Sequence, residues 1–165
     1  MRKYAAALAV LLMLVLSPGA PGQRGASTAL VVRVMPEARI EPGQIALEFR
    51  VADSVVQTAN VTAWVRSLPN QQIRVLARLV RLQGPGGPVP VSAVSWTGAT
   101  ARATAGGNQA SCASGAFAAG QAQDLALGWR RSGTLTCGFA FTLGDSGNLS
   151  PGRYSGTVDL SLAVQ

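Results

Sequence analysis

Leu135, Cys137, Phe139, Phe141 and Leu143 alternate without a break against Thr134, Thr136, Gly138, Ala140 and Thr142. A period of two places every apolar side chain on one side of an extended chain and every small or polar one on the other, a pattern no helix reproduces. The same rhythm recurs in Ile45, Leu47, Phe49 and Val51 against Ala46, Glu48, Arg50 and Ala52, with Pro42 and Gly43 ahead of it. It returns in Val158, Leu160, Leu162 and Val164 against Asp159, Ser161 and Ala163. Shorter runs over residues 30–34, 61–65, 89–96 and 125–129 read the same way, and turn-forming residues fill 67–70, 84–88, 106–108, 131–133 and 144–152. Short strands at regular spacing, separated by polar turns, predict an all-β chain folded as an immunoglobulin-like antiparallel β-sandwich.

Two segments bend the pattern. Ile73, Leu76, Ala77 and Val80 also fit a helical stripe. Ile73, Val75, Ala77 and Leu79 fit one face of a strand equally well, and a strand agrees with its neighbours, so a strand is expected. Residues 98–123 shift to Ala, Gly, Ser, Thr and Gln, with Phe117 as the only large apolar side chain. They predict a long excursion with edge strands near 100–104 and 114–118, either a contact loop or a low-complexity insertion.

Met1, Arg2 and Lys3 precede a nearly unbroken apolar run to Leu16, followed by Ser17, Pro18, Gly19, Ala20, Pro21 and Gly22. A charged start, a core of about a dozen apolar residues and small residues at the exit make a secretory signal peptide, and the run falls short of the ~20 residues that span a bilayer. Residues 1–22 are therefore expected to leave, and 23–165 to form a single sandwich domain that is secreted, periplasmic or held at the cell surface, with no transmembrane segment after cleavage. Removing Arg2 and Lys3 from 14 basic residues leaves 12 arginines against 7 acids, a net charge of +5. The arginines are spread along the chain without a basic run, which argues against nucleic acid as a partner.

The chain has no histidine, and its one lysine, Lys3, lies in the signal. Ser/His/Asp, Cys/His and Ser/Lys nucleophilic arrangements and imidazole-held zinc are thereby excluded. Only a carboxylate pair among Glu37, Glu41, Glu48, Asp53, Asp124, Asp145 and Asp159 could carry catalysis, and none stands in a recognisable signature. The expectation is a non-enzyme without cofactor or metal.

Cys112 and Cys137 are the two cysteines, and export places them where disulfides persist. They are expected to be joined, pinning the segment around Cys112 onto the apolar face that Cys137 shares with Leu135 and Phe139. Trp64, Trp96 and Trp129 each sit among apolar residues and read as core, with a sugar platform as the alternative. Leu149, Pro151, Gly152 and Tyr154 have the order of a tyrosine corner, which fixes the entry to a late strand in immunoglobulin-like sandwiches.

The run from Leu149 through Pro151, Gly152 and Tyr154 to Val158, Leu160, Leu162 and Val164 resembles the ending of bacterial spore coat U proteins and archaic chaperone-usher pilins. The progression from Trp64 through the strand at 73–79 to Val89, Pro90, Ser92 and Trp96 is similar to their middle, and together these patterns cover about half of the mature chain. The resemblance implies an incomplete immunoglobulin-like sandwich whose subunits polymerise when an N-terminal extension fills the groove of the next. Leu30, Val32 and Val34 are then the candidate donor strand; an ordinary first strand within its own domain is the other reading. The functional expectation is a pilin-like structural or adhesive surface subunit with protein partners, through self-assembly or a surface apparatus. The alternative is a monomeric secreted binding module for carbohydrate or a protein.

Overall fold

The computed structural model describes residues 37–51, 55–66, 71–144 and 149–165. The signal segment 1–22, the candidate donor residues Leu30, Val32 and Val34, and the 145–148 turn lie outside the described residues.

Side-chain alternation is realised as two antiparallel sheets packed face to face. The first contains β1 (Glu37–Glu41), β3 (Val56–Arg66), β10 (Gly133–Leu143), β6 (Val94–Ala105) and β8 (Gly115–Ala116), neighbours in that order. The second runs β2 (Gln44–Val51), β11 (Gly152–Val164), β4 (Ile73–Gly84), β9 (Gln123–Trp129) and β7 (Ser111–Cys112), with β5 (Gly87–Val89) folded back on β4. The all-β sandwich expected from the sequence is therefore present. Leu47, Phe49, Val61, Val65, Ile73, Leu135, Phe141 and Val158 fill the space between the sheets, and no polar or charged side chain is buried among the described residues. Alternation of this kind removes apolar area from water on one face and keeps backbone and polar side chains solvated on the other.

β4 is a strand, as the 73–79 alternation indicated. Ile73, Val75, Ala77 and Leu79 are buried, after which the ladder to β11 slips between Gly156 and Val158. Val80 and Arg81 are then both exposed and Leu82 returns to the core. The helical stripe of Ile73, Leu76, Ala77 and Val80 arises because Leu76 and Val80 are apolar residues off the buried face of this strand, Leu76 half-buried and Val80 exposed.

Two expectations are corrected. The run 89–96 is not one strand: Pro90 supplies no N–H, and a turn of 3-10 helix at Val91–Ala93 separates β5 from β6. Nor does the small-residue stretch begin an excursion at 98, because β6 continues to Ala105 against β10. Small residues suit it because the chain folds back over it; a Cβ at Gly98 would strike the Ala113 carbonyl and the Phe139 ring.

The return segment is pinned in four ways. The Cys112–Cys137 disulfide joins β7 of the second sheet to β10 of the first. Phe117 is buried against Trp96 with ring centroids 4.7 Å apart, and against Phe141 at 6.3 Å. The Trp96 indole N–H donates to the Ala113 carbonyl at 3.1 Å, and the Gly98 amide donates to Ser114 Oγ at 3.1 Å.

Candidate functional site

Glu37 and Glu41 share one face of β1, and the other described acids are held in separate contacts. Glu37 pairs with Arg66, Glu48 with Arg153, and Asp124 with Arg74, while Asp159 accepts from the Gln44 amide at 2.7 Å. Arg74 meets both Asp124 oxygens, and this hydrogen-bonded contact raises its pKa above the usual arginine value. Asp53 and Asp145 lie outside the described residues. Among the described residues no group of histidine, cysteine or acidic side chains is arranged to hold a metal ion, and no helix is long and apolar enough to cross a membrane.

Among the described residues, one flank of the sandwich is open at the backbone. The chain crosses from the first sheet to the second between Glu41 and Gln44, so β1 and β2 form the edges of the two sheets on the same side. β1 covers β3 only from Thr62 to Arg66, so among the described residues no strand lies beside Gln57–Val61 on that side. Among the described residues β2 is bonded to β11 alone. The Gln57 side chain meets its outer edge. Gln57 Nε2 donates to the Ala46 carbonyl at 2.8 Å, and the Glu48 amide donates to Gln57 Oε1 at 2.6 Å. Taking the carbonyl of one residue and the N–H two residues on is what one residue of a parallel neighbouring strand does. The carboxamide thus stands in for a missing strand, a form of edge protection.

β11, the last strand, lies inside the second sheet between β2 and β4. Its entry is fixed by Tyr154, whose buried ring sends its hydroxyl to the Ser150 carbonyl at 2.8 Å. That ring lies over Gly84, where a Cβ would collide with it, and at Gly152, with φ at +144°, a Cβ would strike Pro85. Leu149 packs against the core and Pro151 is exposed.

Of the tryptophans, Trp96 and Trp129 are core residues with satisfied indole N–H groups, the latter donating to the Arg131 carbonyl at 2.7 Å. Trp64 departs from the expectation. It is 38% exposed on the outer face of the first sheet, because it alternates with the buried Ala63 and Val65. Cross-strand register sets Arg39 beside it on β1 and Thr134 on β10. Glu37, Arg39, Glu41, Thr62 and Trp64 line an open depression of about 340 Å³. A second depression of about 360 Å³ follows along β3, where Gly138 leaves a notch between Asn60, Thr58 and Thr97. Sequence reasoning missed this face because the phase of β3 relative to the core was not fixed by Trp64 itself. The apolar Val61, Ala63 and Val65 carried that signal.

No family model matches the chain, and no curated protein or solved structure matches it. The likeness to spore coat U proteins and archaic pilins therefore rests on the sequence patterns alone.

Proposed function

We propose that the chain is an exported, non-catalytic surface subunit, pilin-like in that an extended segment of one copy adds to the sandwich of the next. The observation that supports this reading is the flank that stands open among the described residues, where the Gln57 side chain takes up the outer edge of β2 at Ala46 and Glu48. An extended segment supplies the same two bonds and continues the ladder, so it displaces Gln57 with a net gain of backbone pairing. Leu30, Val32 and Val34 are the candidate donor, since alternate apolar residues suit a strand that covers a sandwich edge. Size-exclusion chromatography with light scattering tests it on the chain from Gln23 and on one beginning at Glu37, each with and without a peptide of residues 27–36. Polymers of the longer chain, and peptide binding by the shorter one, are the expected result. Monomers at every concentration, with no peptide bound, would overturn it. A second reading, a binding module for carbohydrate or a protein partner, is favoured by the exposure of Trp64 on a polar sheet face.

A further inference from the structure

The outer face of the first sheet carries three groups with unspent bonding capacity in one place. Arg39, Glu41 and Trp64 line the same depression, and among the described residues none of their side chains makes a hydrogen bond or ion pair. Their neighbours differ: Glu37 is engaged with Arg66, and the Thr62 and Thr136 hydroxyls bond each other at 3.1 Å. A free guanidinium offers forked donors, a free carboxylate offers paired acceptors, and the indole offers both an N–H and a π-face. On a flat sheet these point the same way out of the surface.

We propose that this face binds a glycan, with a neutral pyranose stacked on Trp64 and its hydroxyls shared between Glu41 and Arg39. A pyranose presents an apolar C–H face to the electron-rich ring face and, at its rim, vicinal hydroxyls that donate to a carboxylate and accept from a guanidinium. The charge balance selects a neutral sugar. Glu41 and Arg39 cancel, so the depression holds no surplus cation for an acidic sugar to neutralise. The notch at Gly138 extends the track along β3, giving room for further sugar units beside the Asn60 amide and the Thr58 hydroxyl. A protein ligand is disfavoured because the depression offers only one large apolar side chain, short of the anchored apolar centre that protein interfaces need. This inference rests on the binding-module reading and names its ligand class.

The indole N–H resonances of the chain from Gln23 provide the test, since Trp96 and Trp129 are hydrogen-bonded in the core and report folding while Trp64 reports the site. Soluble neutral hexasaccharides of glucose, mannose, galactose and N-acetylglucosamine are titrated to about 10 mM, above the ~1 mM at which one small site registers. A saturable shift of the Trp64 resonance with at least one of them is expected. It should weaken about tenfold in Arg39→Gln and in Glu41→Gln, with the Trp96 and Trp129 resonances unmoved. Glu41→Gln leaves the ring in place, so its effect separates hydrogen bonding from lost packing. Perturbation confined to other residues, or a response only to an acidic hexasaccharide of galacturonic acid, overturns the Trp64 site while the binding-module reading stands. No perturbation anywhere by any of these sugars overturns the site and removes carbohydrate from that reading.

Discussion

Phe117 shows how one side chain can anchor a stretch that composition makes look loose. It is the only large apolar residue of residues 98–123, it is fully buried, and it joins Trp96, Phe139 and Phe141 in one aromatic cluster. Phe117→Ala should lower unfolding stability by about 3–5 kcal/mol in urea titration, the range for emptying a buried aromatic site. Tyr154 gives a smaller, more specific test. Tyr154→Phe keeps the ring over Gly84 and deletes only the bond to the Ser150 carbonyl, so the loss should be about 1 kcal/mol. Gly84→Ala drives a methyl into the same ring and should cost more than the hydroxyl does. If Tyr154→Phe proved the costlier of the two, the corner would be held by the hydrogen bond and not by packing. Both quantities come from the same denaturation series.

At the level of strands, legibility followed the apolar alternation wherever a strand is buried on one face. β2, β10 and β11 could be read directly, because Leu47 and Phe49, Phe139 and Phe141, and Val158 and Leu160 each keep strict phase with the core. β4 was readable up to Leu79, where the bulge broke the phase; a bulge shifts register without leaving a residue-type mark. The far half of β6 was illegible for a different reason. Its partners are backbone groups of β10 and the folded-back segment above it, so small residues suffice and no alternation is needed. The exposure of Trp64 was readable from its alternation with Val61, Ala63 and Val65, whereas its neighbours Arg39 and Glu41 were not, since they reach that face only through the antiparallel register of β1. The disulfide was legible from the cysteine count and the expectation of export, whereas its role as a tie between the two sheets needed the topology. Closing a loop of 25 residues contributes about 3.5 kcal/mol in the chain-entropy model. Cys112→Ala combined with Cys137→Ala should therefore move the urea midpoint down by roughly that free energy, and dithiothreitol should have the same effect on the unaltered protein. A much smaller loss would mean that Phe117 and the hydrogen bonds to Ala113 and Ser114 hold the return segment without it.

Across the whole molecule, the first two strands have unequal burdens although they are adjacent in sequence and share one flank. β1 is exposed at every position except the half-buried Ile40, while β2 buries Ile45, Leu47 and Phe49 and covers the inner strand β11. A chain beginning at Pro42 should thus fold to the same sandwich and lose only about 1–3 kcal/mol, the scale of one partly buried aliphatic side chain with its strand bonds. A chain beginning at Val55 loses three core side chains and bares the β11 edge, and should not give a cooperative urea transition. The contrast also separates the two surfaces this fold presents. The chain from Pro42 keeps Gln57 on the β2 edge and keeps Trp64, yet it lacks Arg39 and Glu41. Strand addition at β2 should survive in it while sugar binding at Trp64 falls about tenfold or more. Loss of both together would show that β1 positions the β2 edge as well as the glycan track, because the chain crosses between them through only Pro42 and Gly43.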